Sequence, residues 1–415
     1  MATVTASLTG IKNAPDFLTI SHQGEVDMKE QLDSVLRQGV AQGAAPGVTA
    51  IVVDREGIRY EGGFGERQLG GGVAMSTDTV GKIFSMTKAL TAAAAMQLVE
   101  QGRLSLDAPA GEVCADIAAA QVLSGFDDNG EPVTRAPSTA VTLRHLLTHT
   151  SGYSYHMWDT ACTRWLETTG SPDITSQQKA ALRQPLMFDP GSQWRYGIGI
   201  DWVGQMVEAV SGMRLGDYFD EFLCGPMGMS DTHFDYNDSM FERAAHLHAR
   251  LPDGSLAPLP LEQTDQREFD EGGGGLKGTM HDYGRFLRML LNKGELDGTR
   301  ILAANTVAEM CTNQIGELRV QAMRSCAPNM SNDGEFFPGD PKSWGLSFQI
   351  NEVAGFTGRP AGTLMWAGLA NSYYWIDPVN GIGGAYMSQI LPFADAASSA
   401  LFFEFESAVY KALGA

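Results

Sequence analysis

The two ends of the chain carry short apolar runs separated by polar, glycine-containing turns, whereas the middle carries longer segments of helical character. Ile51-Val52-Val53, the turn Asp54-Arg55-Glu56-Gly57 and Ile58-Arg59-Tyr60 predict a hairpin, and a further strand is expected over 81–84. Near the C-terminus, Ser372 to Ser388 reads as two strands around the turn Pro378-Val379-Asn380-Gly381, followed by a helix from Ala396 to Leu413. Helices are expected at Thr142–Leu147, at Asp201–Val210 before Ser211-Gly212, and at Met280–Asn292 after the glycines 272 to 275. Ala89 to Glu100 differs from these. It holds strong helix formers with no proline, and no glycine before Gly102, and it is apolar nearly all round, as befits a helix covered by neighbours on every side. Strands at both ends with helices between predict a body built from residues 1–99 and 270–415, interrupted by a mainly helical unit at 100–269.

With 415 residues, 43% hydrophobic and 19% charged, the chain can bury a large core and enclose a site. Its net charge of -20 argues against nucleic acid or an anionic membrane as partner, because phosphates are repelled on approach. A small neutral or cationic substrate fits better. The start, Met1 to Gly10, lacks the basic segment and apolar run of a secretory signal, and no stretch is long and apolar enough to span a bilayer, so a cytoplasmic protein is expected. Cys114, Cys162, Cys224, Cys311 and Cys326 are odd in number and never in a C-x-x-C pair, which predicts reduced thiols and neither disulfides nor zinc.

Ser85-Met86-Thr87-Lys88 stands at the head of the apolar helix. On a helix Ser85 and Lys88 share a face, the lysine nitrogen reaches the serine oxygen, and the helix N-terminus favours a developing alkoxide. Most S-x-x-K patterns are a helix cap followed by a solvated lysine. Here the helix is buried, and a buried ammonium needs a partner.

Further segments follow at the separations of a known superfamily: Leu146-Leu147-Thr148-His149-Thr150-Ser151-Gly152, Asp189-Pro190-Gly191 with Trp194-Arg195-Tyr196, Pro226 to Thr232, Gly273-Gly274-Gly275-Leu276 and Trp366-Ala367-Gly368. Over nearly its whole length the chain resembles the serine β-lactamase and penicillin-binding-protein superfamily, more narrowly its class C-like family VIII carboxylesterases. Gly125-Phe126-Asp127-Asp128 and the stretch from Trp194 to Trp202 are also similar to fungal acyltransferases of statin precursors. The resemblance implies an α+β fold, with an antiparallel sheet flanked by helices and a largely α-helical second domain. It also implies Ser85 as nucleophile, Lys88 as its partner and Tyr196 as the third catalytic group, a phenolate base stabilised by the lysine charge. The superfamily's Lys-Thr-Gly box is here Trp366-Ala367-Gly368, so the oxyanion donors are expected at the Ser85 and Leu369 N–H groups. Trp366 cannot bind a carboxylate as the box lysine does, and Ile198 replaces the amide of the Tyr-x-Asn element, which favours an ester over a lactam.

Phe126, Tyr153, Tyr155 and Trp158 are candidates for the acyl pocket, with ordinary packing as the alternative for each. His145 and His149 have metal-ligand spacing, but Leu146 stands where a metalloprotease needs glutamate, and a structural role is expected. The glycines 272–275 do not complete a P-loop and predict a tight backbone passage. No G-x-S-x-G occurs. These readings converge on a serine carboxylesterase of short- to medium-chain esters, with no metal and no cofactor. Acyl transfer to an alcohol, weak β-lactamase or D-amino peptidase activity, and a silent scaffold are the alternatives. Intact Ser85, Lys88 and Tyr196 count against silence.

Overall fold

Apolar strands from both ends of the chain meet in one seven-stranded antiparallel sheet. Its strands are β1 (Gly47–Asp54), β2 (Ile58–Gly65), β3 (Lys342–Trp344), β4 (Gln349–Asn351), β5 (Leu364–Gly368), β6 (Ser372–Asp377) and β7 (Ile382–Met387), in the spatial order β3-β4-β5-β6-β7-β1-β2. This is a computed structural model that describes residues 22–262 and 267–414. The stretch Met1–Gly10 read above lies outside them. The β1–β2 turn closes where the Asp54 carboxylate accepts from the Glu56 and Gly57 N–H groups at 2.8 and 2.9 Å.

The five longest helices among the described residues are α1 (His22–Ala41), α2 (Thr87–Glu100), α3 (Gly199–Ser211), α4 (Met280–Leu291) and α5 (Ala396–Leu413); α1, α4 and α5 lie on the sheet, while α3 packs on α2. Side chains alternate along β6, so its neighbours report which helix covers which face. Tyr373 and Trp375 meet Phe402 of α5, whereas Tyr374 meets Tyr283 of α4. Helix α1 packs on α5, where a side chain at Gly39 would strike Leu401. Helix α2 is buried along its length up to Leu98, which explains why its sequence shows no polar stripe.

The segment expected to be mainly helical also holds two small hairpins, Val122–Phe126 with Pro132–Arg135 and His248–Arg250 with Leu256–Pro258. Phe126 therefore lies on a strand. The first hairpin turns at Asp127, whose carboxylate accepts from the Asn129 and Glu131 N–H groups. That local side-chain bonding produces a turn without any apolar period.

Candidate active site

Ser85 lies in a 3₁₀ turn, Phe84–Met86, that runs into α2, so it precedes the α-helix instead of sitting on its face. Phe84 holds a φ of 45°, a left-handed conformation costing about 1–2 kcal/mol for a residue with a side chain. The first turn of α2 directs its positive end toward Ser85.

Lys88 is fully buried. Its Nζ donates to Ser85 Oγ at 3.1 Å, to the Tyr155 hydroxyl at 2.9 Å and to the Gly273 carbonyl at 2.5 Å. Three protons thus meet three acceptors, which satisfies a buried ammonium without a carboxylate in contact. The same helix holds the glycine run in place. Thr91 Oγ1 donates to the Gly272 carbonyl at 2.7 Å, and the Leu276 N–H donates to Thr87 Oγ1 at 3.2 Å. A Cβ on Gly273 would lie 2.4 Å from Asp201 Oδ2, so only glycine fits between α2 and α3 here.

Asp201, in the first turn of α3, is fully buried and accepts from the Gly273 N–H at 2.7 Å. Glu271 immediately precedes the glycines, and a Cβ on Gly274 would lie 3.1 Å from its Oε1. Burial holds both carboxyls above their ordinary range; the Lys88 charge works against this at each, and Asp201 adds to it at Glu271. Burial also pushes the Tyr155 hydroxyl well above the usual phenol range, with Asp201 contributing.

Tyr196 packs its ring among His149, Trp366, Tyr155 and Trp158, with centroids 4.6 to 5.4 Å away, and Lys88 Nζ lies 4.9 Å from its own centroid. Its hydroxyl oxygen accepts from Trp366 Nε1 at 3.0 Å.

A cavity of about 280 Å³ opens at Ser85. Tyr155, Met157, Trp158, Ile174 and Leu369 wall it, and Lys82, Gln177, Glu262 and Glu271 form a polar end. Strand β5 comes up to the turn carrying Ser85 because Gly368 lacks a side chain: a Cβ there would lie 2.3 Å from the Ile83 carbonyl. This brings Leu369 onto the same cavity as Ser85. Trp366, Ala367 and Gly368 are buried in the strand, with the Trp366 indole bound to Tyr196, and they do not line this cavity. Phe126 and Tyr153 do not line it either. Phe126 lies under the Arg164 guanidinium at 3.9 Å, and Tyr153 is buried against Trp202.

His145 and His149 do not share a helix, because the helix ends at Leu147 and His149 takes a φ of 57°. His145 closes a capping box with Thr142, while His149 is packed edge-on to Trp344 and Tyr196, its pKa lowered well below the usual value first by burial and then by Lys88. Among the described residues no cluster of three or more His, Cys, Asp or Glu side chains has metal-binding geometry. Asp201, Glu271 and the two threonines of α2 escaped the sequence reading. An aspartate heading the apolar helix α3 and a glutamate immediately before the glycines were the available signals.

The sequence model of the family described as Beta-lactamase matches residues 32–407. The chain belongs to that family. This β-lactamase family member is 29% identical over 399 residues to the monacolin J acid methylbutanoyltransferase of Aspergillus terreus, covering 91% of this chain and 95% of that protein. It is 31% identical over 382 residues to the lovastatin esterase of Penicillium rubens, covering 87% and 93%. Unliganded simvastatin synthase from Aspergillus terreus superposes with a TM-score of 0.78 at 28% identity, over 93% of this chain and 98% of that one. The protein is thus an enzyme of the serine β-lactamase-like family, in its acyl-transferring and hydrolytic part, with that family's mixed fold of antiparallel sheet and helices.

Proposed function

We propose that the protein is a cytoplasmic serine carboxylesterase of the family VIII type, acting on short- to medium-chain esters through an acyl-enzyme on Ser85. The observation that carries this reading is the Lys88–Ser85 hydrogen bond, 3.1 Å, at the wall of a cavity with apolar sides. Ser85 Oγ attacks the ester carbonyl while its proton passes to Tyr196, whose oxygen accepts from the Trp366 N–H and whose ring centroid lies 4.9 Å from Lys88 Nζ. The Ser85 and Leu369 N–H groups receive the oxyanion. Tyr196 then returns the proton to the departing alcohol. Tyr155, held protonated by burial, positions Lys88. An ester without a free carboxylate suits a box whose first residue is a buried tryptophan.

Transfer of the acyl group to an alcohol is the second reading, favoured by the likeness to the methylbutanoyltransferase. Ser85→Ala is expected to lose on the order of 10⁶-fold in turnover of p-nitrophenyl butyrate, together with its fluorophosphonate mass adduct, while its circular-dichroism spectrum stays native. An adduct that survives in the variant would sink the assignment. Adding a primary alcohol then separates the two readings, since ester product at low millimolar acceptor with slow hydrolysis identifies a transferase. A higher kcat/KM on benzylpenicillin than on the butyrate ester would overturn both.

A further inference from the structure

The acceptors around Lys88 satisfy its N–H groups but leave its charge unbalanced, since among the described residues all three are neutral oxygens. One of them belongs to a residue gripped from both sides. The Gly273 carbonyl accepts from Lys88 Nζ at 2.5 Å, while the N–H of the same glycine donates to Asp201 Oδ1 at 2.7 Å. A single residue therefore separates the buried ammonium from a fully buried carboxyl. Asp201 Oδ2 is also buried and has no hydrogen-bond partner among the described residues, so one of the two carboxyl oxygens makes no structural bond.

We propose that Asp201 is a positioning residue for the chemistry at Ser85: acting across Gly273, its carboxylate supplies the negative charge that keeps Lys88 an ammonium. The inference rests on the Ser85 reading. A carboxylate in direct contact with Lys88 would draw off N–H groups that now go to Ser85 and Tyr155. Set behind the glycine, the same charge favours the ammonium through space and leaves those bonds in place. Burial pushes the Asp201 carboxyl up to about 6 with Lys88 working against it, which leaves it ionised at neutral pH. The other titratable groups of the cluster do not offer a lasting charge. Burial, then Asp201, push Glu271 up to about 8, burial keeps Tyr155 protonated, and burial and Lys88 keep His149 neutral. A charge on Tyr196 comes and goes with the proton it carries, whereas that on Asp201 stays.

The test is the pH profile of kcat/KM on p-nitrophenyl butyrate for Asp201→Asn, whose amide oxygen still accepts from the Gly273 N–H. At about pH 7 the variant should be about tenfold to 10²-fold slower than wild type, the deficit shrinking as pH is lowered to about 5. There the wild-type carboxyl takes up its own proton, and Lys88 of the variant holds its proton more firmly. Glu271 can ionise once its neighbour is neutral, so the comparison is repeated in a Glu271→Gln background, where adding Asp201→Asn should cost at least as much. Asp201→Ser, neutral and smaller, replaces the amide variant if that variant lacks a native circular-dichroism spectrum, with the same expectations. A deficit that stays constant or grows toward acid pH is the mark of a merely structural carboxyl and would overturn the proposal. So would rates within threefold of the parent protein at every pH in both backgrounds. If wild-type protein takes up no fluorophosphonate at Ser85, the Ser85 reading itself fails and takes this inference with it.

Discussion

Two fully buried cations, Lys88 and Arg359, have opposite surroundings. Arg359, between β4 and β5, donates from Nε to Glu406 of α5 at 2.6 Å and from Nη1 to Asn351 at 3.2 Å, and lies 4.5 Å from the Phe337 ring. Lys88 has only neutral hydrogen-bond acceptors among the described residues, and one of them, Ser85 Oγ, belongs to the cavity. A cation that joins helix to sheet is neutralised in place by a carboxylate. A cation meant to act on a neighbour keeps its field for that neighbour, with Asp201 set one residue away behind Gly273.

This contrast breaks most directly by removing charge from each region. Lys88→Met is expected to lose on the order of 10⁴-fold or more in esterase turnover with only a small fall in Tm, since it takes the donor from neutral acceptors such as the Gly273 carbonyl but strands no hydrogen-bonded counterion. Glu406→Gln should do the reverse: about 3–5 kcal/mol of stability lost in urea titration, because Arg359 is stranded, with unchanged turnover per folded molecule. A Lys88→Met variant destabilised as much as Glu406→Gln, or an inactive, stable Glu406→Gln, would erase the distinction.

The two tyrosines beside Lys88 sharpen the comparison at closer range. Tyr196→Phe should cost about 10²- to 10⁴-fold in kcat as the loss of a general base, whereas Tyr155→Phe, losing one hydrogen bond to Lys88, should cost about tenfold. The reverse order would make Tyr155 the base. At the oxyanion side, Leu369→Pro deletes an N–H and should cost about 10²- to 10³-fold in kcat, while Leu369→Ala keeps the donor and should stay near wild type. Equal rates in two folded variants would place the oxyanion hole elsewhere.

The smallest effect concerns stability and pH. Glu271 and Asp201 hold protons more tightly in the folded protein than in the unfolded chain, so the folded state binds more protons and stability falls as pH rises above the ordinary carboxyl range through neutrality. Urea midpoints measured across that range should show a shallower decline in Glu271→Gln than in wild type. An unchanged slope would mean that the glutamate does not stay protonated.

The hairpin at 47–65, the strands at 372–387 and helices α3, α4 and α5 were legible because each has a local cause: an apolar run bounded by a turn, or an apolar period closed by glycine. Strands β3 and β4, three residues each, and the hairpin carrying Phe126 were not, because they exist through pairing partners distant in sequence or through side-chain turns. Ser85 and Lys88 could be singled out from four residues and the apolar helix behind them. Tyr155 could only be placed among pocket candidates, since its hydrogen bond to Lys88 spans 67 positions of sequence.

By itself, then, the amino-acid sequence determined what is local: which segments become helix or strand, that α2 is buried, and that a serine and a lysine share its start. Tertiary structure alone decided which oxygens satisfy the lysine, that the Trp366 indole turns to Tyr196 instead of the cavity, and that Glu271 lines the same cavity as Ser85. The reason is physical. Periodicity and capping act over a few residues along the chain, whereas the charge state and partners of a buried group depend on whatever the packed elements place within a few ångströms of it.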